Sequence, residues 1–383
     1  MRGLTTLLAC CLTAAALAGT STAAEGPAIV VDDDGVQCAE RDFADLPTAV
    51  AAAEPGSTVV VCAGAYRAAV VDKPLRLVGS GGPAAVRRGD TSREAVIVTR
   101  YGIELRADGV ALEGFTFAGA EFPITLDPAH SGYVVRGNTV MASGTAIRLG
   151  GSGELRTVVE GNVVRRSSWG IQGSLSNASL VDNEIRSDYG PSVTLYGSEM
   201  TGNAFQPFVS AITVQATYST VRGNTVNGGV GGVDVLRAIH STFSENVIGA
   251  GGGVGIRVRW ALHTSFERNR VAERVDGIVL LGGGKGTTVT ANEVTDGRGD
   301  GIVLAAARGV EVADNTMLRN AGIGLLAGIQ AEDNILTQNT SLGSGVLDCA
   351  DETATGGRTL NLWRANVGET SSPRGICRPP SRP

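Results

Sequence analysis

Residues 219–226 read STVRGNTV, and the phrase returns as STFSENVI at 241–248, TSFERNRV at 264–271 and TTVTANEV at 287–294. Each copy alternates polar with β-branched or aromatic residues, reaches an asparagine, and continues with small or apolar residues. That alternation has the period of a strand, and asparagine tolerates the left-handed turn that ends one. Outward from these copies, the marker stands at Asn138, Asn162, Asn183, Asn203, Asn224, Asn246, Asn269, Asn292, Asn315 and Asn334. The steps are 24, 21, 20, 21, 22, 23, 23, 23 and 19 residues.

A second marker falls between the asparagines. Small-plus-aliphatic pairs open short alternating strands at Ile147, Ile171, Val193, Ile212, Val233, Ile256, Ile278, Ile302 and Ile323. Each period thus holds one strand starting at this pair and another leading into the asparagine. A period near 22 without helical patterning excludes the helical repeats, and the regular leucines of a leucine-rich repeat are missing. The expectation is an all-β, right-handed, single-stranded parallel β-helix (a solenoid) of about ten or more coils. Equivalent residues would stack about 4.8 Å apart, giving a rod on the order of 45–50 Å for ten coils, with the carboxamides hydrogen-bonded into a ladder.

These phrases, with DFADLPTAVAAAEPGSTVVVCAGAYR (42–67) before them, resemble the pectate-lyase-like right-handed β-helix superfamily, in the short-repeat form found in secreted bacterial proteins. The resemblance covers roughly residues 28–377. It implies an N-terminal cap built from a short amphipathic helix, a Val-rich strand and a Gly-x-Tyr turn, and a disulfide-closed C-terminal cap. The resulting division is 1–24 signal peptide, 25–130 cap and first coils, 131–345 regular repeats, and 346–383 C-terminal cap and tail.

The signal peptide is read from the residues themselves: a charged Arg2, an apolar middle and small residues up to Ala24. No later stretch is long and apolar enough for a membrane span. Four cysteines follow that leader, and an even number outside the cell favours disulfides. Three connectivities are possible; Cys38–Cys62 with Cys349–Cys377 is favoured because each pair brackets one end of the chain. The formal charge of −6 with dispersed arginines gives no case for nucleic acid.

Alternation also assigns faces. On the strand that opens with the aliphatic pair, the first outward column carries Arg148, Gln172, Thr194, Thr213, Asp234, Arg257, Val279, Val303 and Gly324. The second carries Tyr196, Gln215, Leu236 and Arg259 in its middle coils, with Trp260 beside it. Arginines hold carboxylates in bidentate fashion and aromatics stack on sugars. Asp234, Arg257 and Arg259 are therefore the candidate catalytic residues, and Tyr196, Gln215 and Trp260 the candidate binding residues, for an acidic extracellular polysaccharide. The superfamily's lyases and epimerases act on such glycans, so the resemblance implies a uronan lyase or epimerase. Glycoside hydrolysis is disfavoured, since it needs two carboxylates and the patch offers one. Calcium-dependent lyase chemistry lacks its carboxylates in the same way.

Two alternatives stand beside this: a non-catalytic rod binding glycan or cell-wall material, and a metal (copper)-handling β-helix protein. The last rests on His240 and His263, each six residues before an asparagine, where the preceding coil has Tyr218 and later coils Gly286, Gly309 and Gly328. The spacing predicts a stacked Tyr218–His240–His263 ladder without metal, because a zinc site wants further ligands. Asp276 and Asp300, 24 residues apart before Gly-Ile pairs, read as solvated turn carboxylates. DPAH at Asp127–His130 resembles an alginate-epimerase signature but lacks its Tyr-Gly element. The residues fix no cofactor, and the expected state is a monomer.

Overall fold

The computed structural model describes residues 28–81 and 93–380; the expected signal peptide lies outside them. The chain winds into a parallel β-helix with three faces. Face A is a sheet of 15 strands, from Ala28–Val31 to Leu362–Arg364, one from each pass of the chain. It contains the strands that lead into the asparagines, such as Thr242–Ser244 and Ser265–Glu267. A third strand per coil, absent from the sequence reading, follows each asparagine and forms face B, as at Thr225–Val226 and Arg270–Ala272. From Asn224 to Asn339 these strands are two or three residues long, too short to show an alternating pattern. Face C carries the strands opened by the aliphatic pairs, including Ile212–Thr217, Val233–Ile239 and Ile256–Val258. Thr139–Leu149 and Val163–Ser176 run unbroken through B and C and join the two faces into one sheet.

All three faces turn their aliphatic residues inward, so like stacks on like. Val214, Val235, Val258, Leu280 and Leu304 are in register on successive coils and all buried. Phe243 and Phe266 stack at 5.0 Å below face A. The scarcity of large rings follows from this layout, because a narrow tube filled in 4.8 Å layers has room for aliphatic side chains and few aromatics.

The turn from A to B holds the asparagine ladder. Asn224 shows the pattern: its backbone N–H and its Nδ2 both donate to Asn246 Oδ1, at 3.1 and 3.0 Å, while Nδ2 also donates to Met200 O at 2.8 Å. The chain of such bonds runs from Asn138 through Asn315 and then to Asn339 and Asn366. Asn334 is not its tenth member. It accepts from Val310 N and passes to Asn361 in a separate short ladder. The step after Asn315 is therefore 24 residues rather than 19, and the position aligned with His263 and Gly309 in that coil is Asp333, not Gly328. Each ladder residue follows a left-handed one, such as Arg268 (φ 52°) or Ala291 (φ 54°).

Both ends are closed. Helix Leu46–Ala52 starts at Asp45, whose side chain accepts from Thr48 N at 3.1 Å. The segment after Cys38 returns so that Phe43 bridges Val31, covering the first strand edge. Tyr66 of the Gly-x-Tyr turn is buried and donates to Cys62 O at 3.0 Å; burial pushes its hydroxyl up to about 12. Disulfides Cys38–Cys62 and Cys349–Cys377 staple the two caps. Among the described residues no helix is long and apolar enough to cross a membrane.

Removing one carboxamide orphans buried groups on two coils, each worth about 1–3 kcal/mol. Asn246→Ala is expected to lower unfolding free energy by at least about 2 kcal/mol in denaturant titration, whereas Gln215→Ala, on the outer surface, shifts it by under about 0.5 kcal/mol.

Candidate functional site

Face C displays the candidate residues, and its register decides which of them meet. One outward column runs Arg148, Gln172, Ser192, Thr213, Asp234, Arg257, each paired with the next. Thr194 drops out of the expected column, and Tyr196 pairs with Thr217 rather than lying beside Gln215. The reason is coil length. The step from Val193 to its partner Val214 is 21 residues, matching the asparagine spacing there, so aligning Val193 with Ile212 misplaces the strand by two.

A second departure concerns Leu236. The register slips between Val214 and Gln215, so Gln215 faces Arg237. Leu236 and Arg237 both fit between the inward Val235 and Ala238, and Arg259 and Trp260 do the same one coil on. This bulge turns Arg237 outward, where its guanidinium lies 5.4 Å from the Trp260 ring centre. Strict alternation hides Arg237; its only signal is the two-residue outward pair in VLRA and VRWA.

Asp234 is gripped by Arg259 through two bonds, Nε to Oδ1 at 3.1 Å and Nη2 to Oδ2 at 2.8 Å. The pair raises the Arg259 pKa above its ordinary value, chiefly through that hydrogen bond. Arg148, Arg237 and Arg257 have no carboxylate partner among the described residues, whereas Arg222, Arg268 and Arg319 each meet one. Arg257 and Asp234 border a depression of about 330 Å³, walled by Val209, Val230 and Val254 from the B-to-C turns.

Those turns are shaped by a residue the sequence reading passed over. Arg274 is 1 % exposed and has no acidic partner among the described residues. Its Nε donates to Gly249 O at 2.5 Å and its Nη2 to Gly228 O at 3.1 Å. Arg298 adds a bond to Gly251 O at 2.6 Å. Burial, then the nearby Arg298, lowers the Arg274 pKa. A side chain at Gly251 would displace this guanidinium, because a Cβ would stand 1.9 Å from Arg274 Nη1. The guanidinium thus pins the Gly-rich turns 227–232 and 249–255 that wall the depression.

On the opposite edge of face C, Tyr218, His240 and His263 stack at 5.0 and 4.9 Å with ring planes 1° and 8° apart. All three are left-handed, at φ 46–49°. Tyr196 joins edge-on at 6.2 Å, and the stack ends at Gly286, over which the His263 ring leans. Ser198, Ser219 and Ser241, just after this position, hydrogen-bond coil to coil at 3.1 Å. His240 lies six residue steps beyond Asp234, about 20 Å along the strand direction, so the ladder supplies no base to the Asp234 patch. Among the described residues no group of three potential metal ligands includes a histidine.

Asp276 and Asp300 are not free in solvent. Their Oδ1 atoms accept from Asp300 N at 3.0 Å and Ile323 N at 2.6 Å, capping the next coil. Asp127 likewise accepts from Ala129 N, making DPAH a turn.

Replacing Arg274 with alanine is expected to speed hydrogen exchange at Gly228–Gly231 and Gly251–Val254 while leaving strand Thr242–Ser244 protected. Methylguanidinium, which fits the vacated space, should restore the protection; unchanged exchange would show that Arg274 does not hold these turns.

A family model described as the right handed beta helix region matches residues 197–341. No curated protein matches the sequence. Among solved structures, a mannuronic acid specific polysaccharide family 6 lyase from human gut microbiota is similar at 14% identity, covering 87% of each chain, with a TM-score of 0.53. A mutant of a periplasmic alginate epimerase aligns at 12% identity over 79% of this chain and 78% of its own, TM-score 0.40. The Azotobacter vinelandii mannuronan C-5 epimerase A-module aligns at 16% identity over 85% and 92%, TM-score 0.37. With the parallel coils and buried asparagine ladder described above, the chain has the fold of a right-handed parallel β-helix.

Proposed function

We propose that this chain is a secreted protein that binds acidic, uronate-type polysaccharide on face C. The observation that carries the reading is electrostatic. On a chain of net charge −6, three outward arginines of one face lack carboxylate partners among the described residues, and one of them borders a depression. Arg257 is the carboxylate-binding cation, Gln215 a neutral hydrogen-bonding side chain, and the Arg237–Trp260 pair an exposed platform. Asp234, neutralised by Arg259, orders the site without repelling an anion. The two disulfides fit an oxidising location outside the cytoplasm.

Binding is favoured over turnover because abstraction of a proton next to a uronate carboxyl needs a free base. Asp234 has both oxygens engaged by Arg259, and the Tyr–His stack is remote. The lyase or epimerase reading keeps one specific support: the unpaired Arg257 adjoins Asp234 in the ladder, so a substrate carboxylate there could compete for the local cations and release Asp234 as base.

One titration separates the readings. Calorimetry with oligouronides is expected to show binding that weakens with salt and falls about tenfold or more in Arg257→Ala, the loss of a charge-assisted hydrogen bond. No unsaturated uronate absorbance and no epimerised residues should appear. Product lost in Asp234→Asn with binding retained would establish the enzyme; no binding to any uronan would end the proposal.

A further inference from the structure

The column that reaches Arg257 holds a second arginine without a carboxylate partner among the described residues. Arg148 lies five coil steps away in the same register, through Gln172, Ser192, Thr213 and Asp234. Five steps of the ladder span about 24 Å. Every side chain between the two arginines can hydrogen-bond, and none is aliphatic. Beyond Arg257 the column turns apolar, to Val279 and Val303. Past Arg148 on the other side the column stays polar, through Thr125 to Glu104, whose carboxylate is met by Arg106. The cationic stretch of the track is the one between the two arginines.

Arg148 is held ready for a ligand. Its guanidinium packs over the Phe122 ring, 4.9 Å from the ring centre, and Phe122 is itself stacked on Tyr101. A guanidinium stacked by its face keeps its in-plane N–H donors free, which is the edge that grips a carboxylate. Elsewhere on the rod arginines meet a carboxylate about one coil away, as Arg136 meets Glu160 and Arg319 meets Asp296. Arg148 has no such partner among the described residues. Alongside the track, three residues before Gln172 and Ser192, Trp169 and Tyr189 stack at 4.7 Å next to Thr145, with the strongly exposed Phe208 beyond.

We infer that Arg148 is a second carboxylate-binding subsite, occupied by the same polyuronate chain that reaches Arg257. The inference rests on the glycan reading of face C and adds direction and length to it. The polymer runs parallel to the rod axis. An extended, diequatorially linked pyranose chain advances by nearly one coil spacing per sugar, so bridging the two arginines takes an oligomer of about six uronates. Holding both ends of one chain raises affinity through effective concentration rather than through new kinds of contact.

A length series of oligouronides, from dimer to decamer, tests this on the full chain by calorimetry. Wild-type affinity should rise sharply near six residues. Arg148→Ala should weaken the long oligomers by about fivefold or more and leave dimers and trimers unchanged, while Arg257→Ala weakens every length. Phe122 stays in place in Arg148→Lys, which should recover part of the loss. Equal affinity of Arg148→Ala and wild type for all lengths would overturn the second subsite while leaving Arg257 binding intact. A loss in Arg148→Ala that is the same for dimers as for decamers would overturn it too, since that points to one shared site. Absence of any binding by the wild type would remove the parent reading instead.

Discussion

The buried carboxamide ladder is the interaction on which the rest of the molecule depends. Each asparagine takes a backbone N–H that the turn leaves unpaired and links it to the coil beside it. A buried unpaired amide is costly, so each asparagine must face the next, and any slip of one coil against another breaks that match. Residues 20 to 27 apart in sequence are thereby locked side by side. Every surface column becomes a one-dimensional lattice with a 4.8 Å repeat.

That lattice organises charge. Over most of the rod it sets arginines against carboxylates of a nearby coil, in exposed pairs that each contribute little to stability. Their collective effect is to leave few uncompensated cations on those faces. Face C departs from the pattern with Arg148, Arg237 and Arg257, and Asp234 is cancelled by Arg259. The Gly-rich turns beside it are held by Arg274, a buried cation bound to carbonyls rather than to an acid. Burying a charge without a counter-ion is expensive, which marks the wall of this depression as a place where shape is maintained against stability.

Much of this was legible in the sequence because a solenoid repeats its grammar. The asparagine period announced the coils, and the Tyr218–His240–His263 offset announced a stack, since both depend only on counting residues within one coil. What was lost involved changes in that count. The shorter coil around Val193 moved Tyr196 to the edge of the face, and the bulge at Leu236 brought out Arg237. Asn339 was passed over for Asn334 because the two stand five residues apart and only hydrogen bonds to Asn315 and Val310 tell them apart. Arg274 gave no signal at all, as one arginine among many, until its burial was seen. Asp276 and Asp300 were read as turn residues, but their caps on the next coil need coordinates.

The central claim is that stacked coils present a cationic track along face C to a polyuronate lying along the rod. A crystal structure of the protein with a bound hexauronide tests it most directly. The account predicts sugar density over the column from Arg148 to Arg257, with the chain parallel to the rod axis and a carboxylate within hydrogen-bonding distance of each guanidinium. Density on face A or B, or a chain crossing the coils at right angles, would contradict it.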